Sequence, residues 1–305
     1  MKRRAFLFFM IVSSINGYFA SAQNFSSEQP NWAYHILISG LQINSIKLST
    51  GVELEYAEQG DKSGTPVIFL HGYTDSWHSF ENVMPLLPGT IHAFVLTQRG
   101  HGNSSKPENN YHPKDFAADV AAFIKEAKIG KAIIVGHSLG GVIAQQFALD
   151  HPELTKAIVI ISSDAAFKDN PGLPEFREEV LKLSDPVEYG YAEGFQKSTI
   201  VRPVDSNYVK SLINETMKVP ARVWKAVMNG FMSVDYSKEL YKIDQPVLIL
   251  WGDKDTFCPK TDQDLLEKEI RNSRLLVYKG TGHALHWEEP EKFVIDLSFF
   301  IQSFQ

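Results

Sequence analysis

The sequence predicts an α/β protein with a doubly wound, mostly parallel sheet and an inserted helical segment. Short, continuously apolar runs at 66–70, 93–96, 157–161 and 246–251 alternate with stretches of helical periodicity. Such runs are typical of strands that are buried on both faces of a parallel sheet. Between residues 168 and 239 the strand pattern stops, and prolines punctuate several helical stretches. These two observations indicate one sheet domain that carries a helical insertion.

The insertion is predicted to be a lid. It covers 168–239, and the flanking parts 23–167 and 240–305 together form the sheet core. Ligands bind outside the carboxyl ends of the strands in such sheets, so a lid at that edge would cover the site. Packing of the lid against the core is the alternative explanation for its large apolar side chains. The candidate substrate contacts are Tyr189, Tyr191, Phe195, Trp224, Met228 and Phe231.

The remaining elements follow from local pattern. Residues 44–48 and 52–57 alternate apolar and polar side chains around a glycine turn, which predicts an opening hairpin. Helical spacing of apolar residues predicts a helix over 115–127, and a closing helix is predicted over 290–304. After the strand at 66–70, we expect a helix that begins at Thr74 or Asp75.

Residues 1–22 are predicted to be a secretory signal peptide. Lys2, Arg3 and Arg4 form a basic start, an apolar core follows, and small residues precede a cleavage point after Ala22. Polar residues from Ser13 onward make the apolar run too short to span a bilayer. We therefore expect a secreted or periplasmic protein that has no stable membrane anchor after cleavage.

Composition excludes several classes of protein. The net charge of −6, with no basic stripe beyond the N-terminus, argues against a nucleic-acid binder. The ten histidines show no H-x-H or H-x-x-x-H spacing, which argues against a metal site. We expect neither a metal nor a cofactor.

A serine lies at the centre of the strongest motif. An apolar run ends at Gly136, Ser138 follows two residues later, and a helical pattern begins directly after it. The spacing Gly136-x-Ser138-x-Gly140 is that of a nucleophile elbow, in which serine sits on a strained strand-to-helix turn. Glycine on either side removes the side chains that would collide there. Ser138 is therefore the predicted nucleophile.

A serine nucleophile needs a base and a carboxylate that orients it. A last strand is predicted over 274–278, and His283 follows the glycine turn after it; His286 is its alternative. Asp253 and Asp255 both follow the strand at 246–251, so either can supply the carboxylate. The order serine, aspartate, histidine along the chain fits a catalytic triad. Cys258 lies near the acid loop without a base of its own.

The oxyanion hole is predicted from backbone position. Tyr73 follows the strand at 66–70, and its N–H faces the same edge of the sheet as the elbow. The N–H of Leu139 opens the helix after the nucleophile. Two such donors can stabilise the negative oxygen of a tetrahedral intermediate, whatever their side chains are.

The chain resembles the α/β-hydrolase superfamily, in its lidded branch of small esterases and lactonases. The resemblance runs from about residue 45 to the C-terminus. It rests on His71-Gly72, Arg99-Gly100-His101-Gly102, the elbow at 136–141, Gly252-Asp253-Lys254-Asp255 and Gly282-His283. It implies the α/β-hydrolase fold, and it favours Asp255 over Asp253 as the triad acid.

The expected function is that of a serine hydrolase that cleaves a small-molecule carboxylic ester or lactone through an acyl-enzyme. A macrocyclic lactone is compatible with the lid, and nothing in the sequence requires it. Serine at position 138 disfavours dehalogenases and epoxide hydrolases, which use aspartate there. An acyltransferase, a cofactor-free perhydrolase or a carbon–carbon hydrolase would use the same triad, although the last often has asparagine where His137 stands. A non-catalytic binding protein is the remote alternative.

Overall fold

A computed structural model describes residues 40–167, 170 and 173–304 of this chain. The predicted signal peptide and the rest of the segment up to residue 39 lie outside the described residues. The described part contains eight named strands in one sheet. The strands are β1 (Gln42–Lys47), β2 (Glu53–Gln59), β3 (Thr65–Leu70), β4 (Ile91–Leu96), β5 (Ala132–His137), β6 (Thr155–Ile161), β7 (Val247–Gly252) and β8 (Ser273–Tyr278).

Helices connect these strands on both faces of the sheet. The α-helices are α1 (Pro113–Glu126), α2 (Leu139–Asp150), α3 (Leu173–Leu181), α4 (Tyr189–Ser198), α5 (Ser206–Thr216), α6 (Ala221–Met232), α7 (Lys260–Glu269), α8 (Leu285–Glu288) and α9 (Pro290–Gln302). Short 3-10 helices are Trp77–Phe80, Met84–Leu86 and Leu240–Lys242. Within the described ranges, no helix combines the length and the apolar character needed to cross a membrane.

The strand order is β1-β2-β4-β3-β5-β6-β7-β8. The β1–β2 and β2–β4 pairs are antiparallel. The other five pairs, which are β4–β3, β3–β5, β5–β6, β6–β7 and β7–β8, are parallel. The predicted doubly wound, mostly parallel sheet and its opening hairpin are confirmed. Because parallel strands end at one edge, the loops after β3, β5, β6, β7 and β8 meet there.

Two cores cover the two faces of the sheet. Ile134 of β5 belongs to one buried cluster, and the next residue, Val135, belongs to the other. Strands β4, β5 and β7 are buried along their whole length, because a buried cluster covers each face of the sheet. Burial on both faces explains why these strands appear in the sequence as continuous apolar runs.

Helices α3, α4, α5 and α6 lie between β6 and β7, in the stretch that the sequence predicts to be a helical lid. Val223, Trp224, Val227 and Met228 form a buried face of α6 at spacings of one, three and four residues. The side of α6 that carries them therefore packs inward. That this stretch is a lid over the carboxyl ends of the strands, with bounds at 168 and 239, stays a prediction.

The expected helix at Thr74 or Asp75 is wrong. Thr74 has a φ of 68°, which no right-handed helix allows, and the first turn is the 3-10 helix Trp77–Phe80. Ser76 caps it by accepting a hydrogen bond from the His78 N–H over 3.3 Å. The side chain of Asp75 is buried instead of capping a helix, as described below.

Candidate active site

Ser138 lies at the turn between β5 and α2. Its φ is 51° and its ψ is −114°, a strained combination for a residue with a side chain. Its N–H donates to the Ile161 carbonyl over 2.9 Å, and the Ser163 hydroxyl donates to the Ser138 carbonyl over 2.8 Å. These two bonds from the neighbouring strand hold the strained residue in place.

The two flanking glycines are required by contact. A Cβ atom on Gly136 would lie 2.1 Å from the Gly140 carbonyl oxygen. A Cβ atom on Gly140 would lie 2.2 Å from the Leu70 carbonyl oxygen. Carbon and oxygen atoms cannot approach so closely, so any side chain at either position would push α2 away from β3 and β5. The spacing that the sequence shows is thus set by packing of backbone against backbone.

His283 and Asp255 form a hydrogen-bonded pair. The His283 Nδ1 lies 3.0 Å from Asp255 Oδ2 and 3.1 Å from Oδ1. The Asp255 carboxylate also accepts from the N–H groups of Phe257 and Cys258, over 2.8 and 3.0 Å. An ionised carboxylate only accepts, so Nδ1 carries the proton and donates it. Nε2 of His283 is then free to accept a proton.

The alternatives have other partners. Asp253 accepts from the Gly280 N–H over 2.6 Å, and this bond lowers the pKa of its carboxyl group. His286 is fully buried, with its Nε2 3.2 Å from the Ser79 hydroxyl and its ring stacked on Phe80. Burial lowers the pKa of His286 to about 3, so the ring is neutral. Both side chains therefore bind to neighbouring loop residues and do not contact the ring nitrogens of His283.

His137 supports the His283 loop, a role that sequence reasoning missed. Its Nε2 lies 3.2 Å from the His283 carbonyl oxygen, and the two rings lie 4.9 Å apart. Burial lowers the pKa of His137 well below its usual value. A neutral ring that donates through Nε2 fixes the loop to β5. The sequence feature that could have indicated this role is the position of His137 inside the elbow, between Gly136 and Ser138.

The predicted oxyanion donors border the same cavity as the serine. Tyr73, Ser138, Leu139 and His283 all line it. Within the described part of the chain, the N–H groups of Tyr73 and Leu139 donate to no protein acceptor. Leu139 is the first residue of α2, where N–H groups have no partner within the helix. Both donors are therefore free for a ligand oxygen.

The cavity has a volume of about 40 Å³ and mostly aromatic walls. Of the predicted substrate contacts, Phe195 and Phe231 line it. Trp224 and Met228 are fully buried behind it, because they lie on the inward face of α6. Tyr189 is 44% exposed, and Tyr191 borders a neighbouring depression. The other walls, which sequence reasoning missed, are Phe167, Leu173, Phe176, Thr199, Phe257 and Cys258.

A buried carboxyl group, also missed, lies beside the β3 loop (residues 71–76). Asp75 Oδ1 accepts from the Gln196 side chain of α4 over 2.8 Å, and Oδ2 accepts from the Ser79 hydroxyl over 3.4 Å. Burial raises the pKa of Asp75 from 3.8 to about 6, although nearby His283 opposes the shift. This carboxyl group joins the β3 loop to the inserted helices.

The side chains of Asp255, Cys258 and His283 could in principle hold a metal ion. One ligand atom from each lies within 4.8 Å of the others. Each atom already has a partner, since the Cys258 thiol donates to the Ser162 carbonyl over 3.3 Å. Burial also raises the pKa of that thiol well above its usual value, which disfavours the thiolate that metals bind. The donor set fits a histidine–carboxylate pair better than a metal site.

Comparison with known proteins agrees with this geometry. The family model for the alpha/beta hydrolase fold matches residues 65–290. An AB hydrolase superfamily protein of Bacillus subtilis is 30% identical over 240 residues, which cover 75% of this chain and 88% of that protein. A non-heme chloroperoxidase of Streptomyces lividans is 28% identical and covers 86% of this chain and 100% of its own length.

The fold is also found in solved structures. An esterase from Exiguobacterium antarcticum superposes with a TM-score of 0.76 at 22% identity, and the match covers 86% of this chain and 100% of the esterase. The strand order, the elbow at Ser138 and the family match over most of the sheet core lead to one assignment. The chain belongs to the alpha/beta hydrolase fold family.

Proposed function

We propose that this protein is a serine hydrolase that cleaves a carboxylic ester or a lactone. One observation carries the proposal. Ser138 and His283 line a single cavity, and the far nitrogen of His283 is hydrogen-bonded to Asp255. A serine, a histidine and a carboxylate in this relation can carry out nucleophilic acyl transfer.

In the proposed mechanism, the Ser138 hydroxyl attacks the substrate carbonyl while Nε2 of His283 takes its proton. Asp255 keeps the proton on Nδ1 and stabilises the imidazolium that forms. The N–H groups of Tyr73 and Leu139 donate to the oxyanion. His283 then protonates the leaving alcohol, and water attacks the acyl-enzyme by the same route in reverse.

The substrate is proposed to be a small, largely apolar molecule, because aromatic side chains form most of the cavity wall. Both open-chain esters and lactones meet this description; a macrocyclic lactone, which the sequence leaves open, would extend beyond the cavity of about 40 Å³. The carbonyl chemistry is the same for both; a lactone keeps its alcohol tethered to the acyl-enzyme.

The first test is turnover of p-nitrophenyl esters from acetate to decanoate by the mature protein. We expect Ser138→Ala to lower kcat/KM by about 10⁴-fold or more, because the nucleophile is lost. Ser211→Ala on α5, outside the cavity, is the matched control and should keep full activity. Turnover that survives in Ser138→Ala would refute the mechanism.

A second candidate, a cofactor-free perhydrolase, is favoured by the similarity to the Streptomyces chloroperoxidase. The same acyl-enzyme would then be attacked by hydrogen peroxide instead of water. Peracid formation from acetate and peroxide, measured beside ester hydrolysis, separates the two. A peroxide rate far above the water rate would favour the perhydrolase, and the same comparison with alcohols tests an acyltransferase.

We also propose that the protein is exported. The basic, apolar and small-residue segments of residues 1–22 support this proposal. They would direct the chain to the secretory route and leave a mature enzyme that begins at Gln23.

A further inference from the structure

A surface depression of about 350 Å³ lies between α3 and α4. Phe176 of α3, Phe195 and Tyr191 of α4, and Phe257 of the acid loop border it. It is much larger than the cavity beside Ser138, which measures about 40 Å³. A single water molecule needs a cavity of about 10–15 Å³. The inner cavity therefore accommodates an acyl group of only a few heavy atoms.

Three phenylalanines separate the two spaces. Phe176, Phe195 and Phe257 line both the inner cavity and the outer depression. The rings of Phe176 and Phe195 are stacked, with centroids 5.5 Å apart and planes 6° apart. Phe257 meets each of them edge to face, at 6.5 and 6.3 Å. A rotation of these side chains would therefore join the two spaces.

Two glycines of α4 border the depression, one helical turn apart. A Cβ atom on Gly190 or Gly194 would meet no described atom within 4 Å, and neither residue has a positive φ. Neither the backbone nor the packing requires glycine there, although glycine costs a helix about 1 kcal/mol relative to alanine. What the missing side chains provide is open space on the surface of α4.

One residue that borders the depression, Tyr191, carries an unsatisfied polar group. The Tyr191 hydroxyl is buried and has no hydrogen-bond partner within the described ranges. Burial, with a smaller contribution from Glu179, raises the pKa of Tyr191 to about 12, so the hydroxyl keeps its proton. A buried donor without an acceptor is costly unless a ligand supplies one.

We infer that the depression binds the alcohol part of the substrate, and that this part is aryl or similarly bulky and apolar. The short acyl group then occupies the inner cavity beside Ser138, with the three phenylalanine rings parted around the ester. The Tyr191 hydroxyl donates to a polar atom of the alcohol part. This inference rests on the proposed ester hydrolysis and adds a substrate class, namely short-chain esters of bulky apolar alcohols.

The test varies each half of the ester separately. Wild-type kcat/KM is measured for ethyl, phenyl and 2-naphthyl acetate, and for 2-naphthyl acetate, butyrate and decanoate. We expect the rate constant to rise with the size of the alcohol and to fall with acyl length. Gly194→Leu fills the depression from a position with free space, and should raise KM for 2-naphthyl acetate at least tenfold. The same substitution should change the KM for ethyl acetate by less than twofold.

Gly89→Leu, also at a glycine whose Cβ would meet no described atom within 4 Å, is the matched control and should match wild type on every ester. Phe176→Ala, which joins the two spaces, should raise the decanoate-to-acetate ratio at least tenfold. Equal losses on ethyl and naphthyl acetate in Gly194→Leu would overturn the inference, as would a loss confined to decanoate.

A binding measurement separates this inference from the proposed function. Ser138→Ala should bind 2-naphthol by calorimetry, and the additional Gly194→Leu change should weaken that binding at least tenfold. No difference between Ser138→Ala and Ser138→Ala with Gly194→Leu would refute the subsite, whatever the turnover results show about the triad.

Discussion

At the scale of single residues, the geometry of the site depends on two missing side chains, at Gly136 and Gly140, as much as on the proposed catalytic groups. Ser138 holds a strained conformation because Gly136 and Gly140 let three backbone segments come together. His283 is oriented through Nδ1 by a carboxylate that two backbone N–H groups fix in turn. Each of the proposed catalytic groups is thus positioned by neighbours that are themselves held in place.

The burial of Asp75 beside the site has a cost in folding stability, which depends on pH. Its pKa rises from 3.8 to about 6 on folding, because burial penalises the charged carboxylate. A raised pKa means that the stability provided by the neutral form is complete below about pH 4 and is lost as pH rises through 6. At pH 8 the cost is about 3 kcal/mol. We therefore expect Asp75→Asn to raise Tm at pH 8 and to change it little at pH 4.

Thermal unfolding at the two pH values checks this expectation. Asn can still accept from Gln196 through its amide oxygen, so the network can be kept. Asp61→Asn, at an exposed carboxyl group whose pKa is lowered, should not raise Tm at pH 8. A Tm gain for Asp75→Asn that is equal at both pH values, or absent at pH 8, would contradict the assigned cause. Activity should fall at the same time, since the charge near His283 is lost.

At the scale of elements, a second hydrogen bond, besides that between Asp75 and Gln196, links the β3 loop to the inserted helices. The Tyr73 hydroxyl donates to the Trp224 carbonyl of α6 over 2.6 Å, and both groups are buried. Four aromatic rings from the inserted stretch surround the Tyr73 ring, with centroids between 5.1 and 6.3 Å away. The residue that is proposed to offer an oxyanion N–H therefore also holds α6 in place.

We expect Tyr73→Phe to destabilise the protein by about 1 kcal/mol and to speed amide exchange in α6, because one buried hydrogen bond is lost. Hydrogen exchange measured by mass spectrometry would detect it. The backbone N–H remains, so kcat for p-nitrophenyl acetate should stay within a fewfold. Tyr236→Phe removes a comparable buried bond, to Gln146, and should leave α6 unchanged. Unaltered exchange in α6 of Tyr73→Phe would refute the link.

The elements also show where sequence reasoning succeeds and where it stops. Strands β3 to β7 could be predicted because burial on both faces leaves an uninterrupted apolar run. The loop after β3 could not, because Thr74 takes a positive φ that its residue type does not favour, and Asp75 is held by a hydrogen bond from Gln196 of α4. The cavity wall was predicted only in part. Helical periodicity indicates that Trp224 is buried, but not which side chain reaches the serine.

At the scale of the whole molecule, the parallel sheet gathers loops that are far apart in sequence. The loops after β5, β7 and β8 bring Ser138, Asp255 and His283 to one edge. The chain order of these residues was therefore enough to propose the triad, since each follows a strand. Asp253 and Asp255 could not be separated by spacing alone, because both follow β7; the hydrogen bond to His283 distinguishes them.

Export is a property of the whole chain that can be tested directly. We expect residues 1–22 to carry a reporter without its own leader into the periplasm of a bacterial host, because the basic start and apolar core engage the secretory machinery. N-terminal analysis of the exported full chain should begin at Gln23. Replacement of Lys2, Arg3 and Arg4 by Glu should reduce export. Retention of the intact N-terminus in the cytosol would contradict the prediction.

Ser138 is proposed to be a nucleophile that His283 activates. Labelling with a fluorophosphonate, read by intact mass and peptide mapping, tests it without knowledge of the substrate. We predict one adduct per chain on Ser138, none in Ser138→Ala, and labelling slowed by at least 100-fold in His283→Ala. An adduct on another residue such as Cys258, or equal labelling of wild type and Ser138→Ala, would contradict the claim.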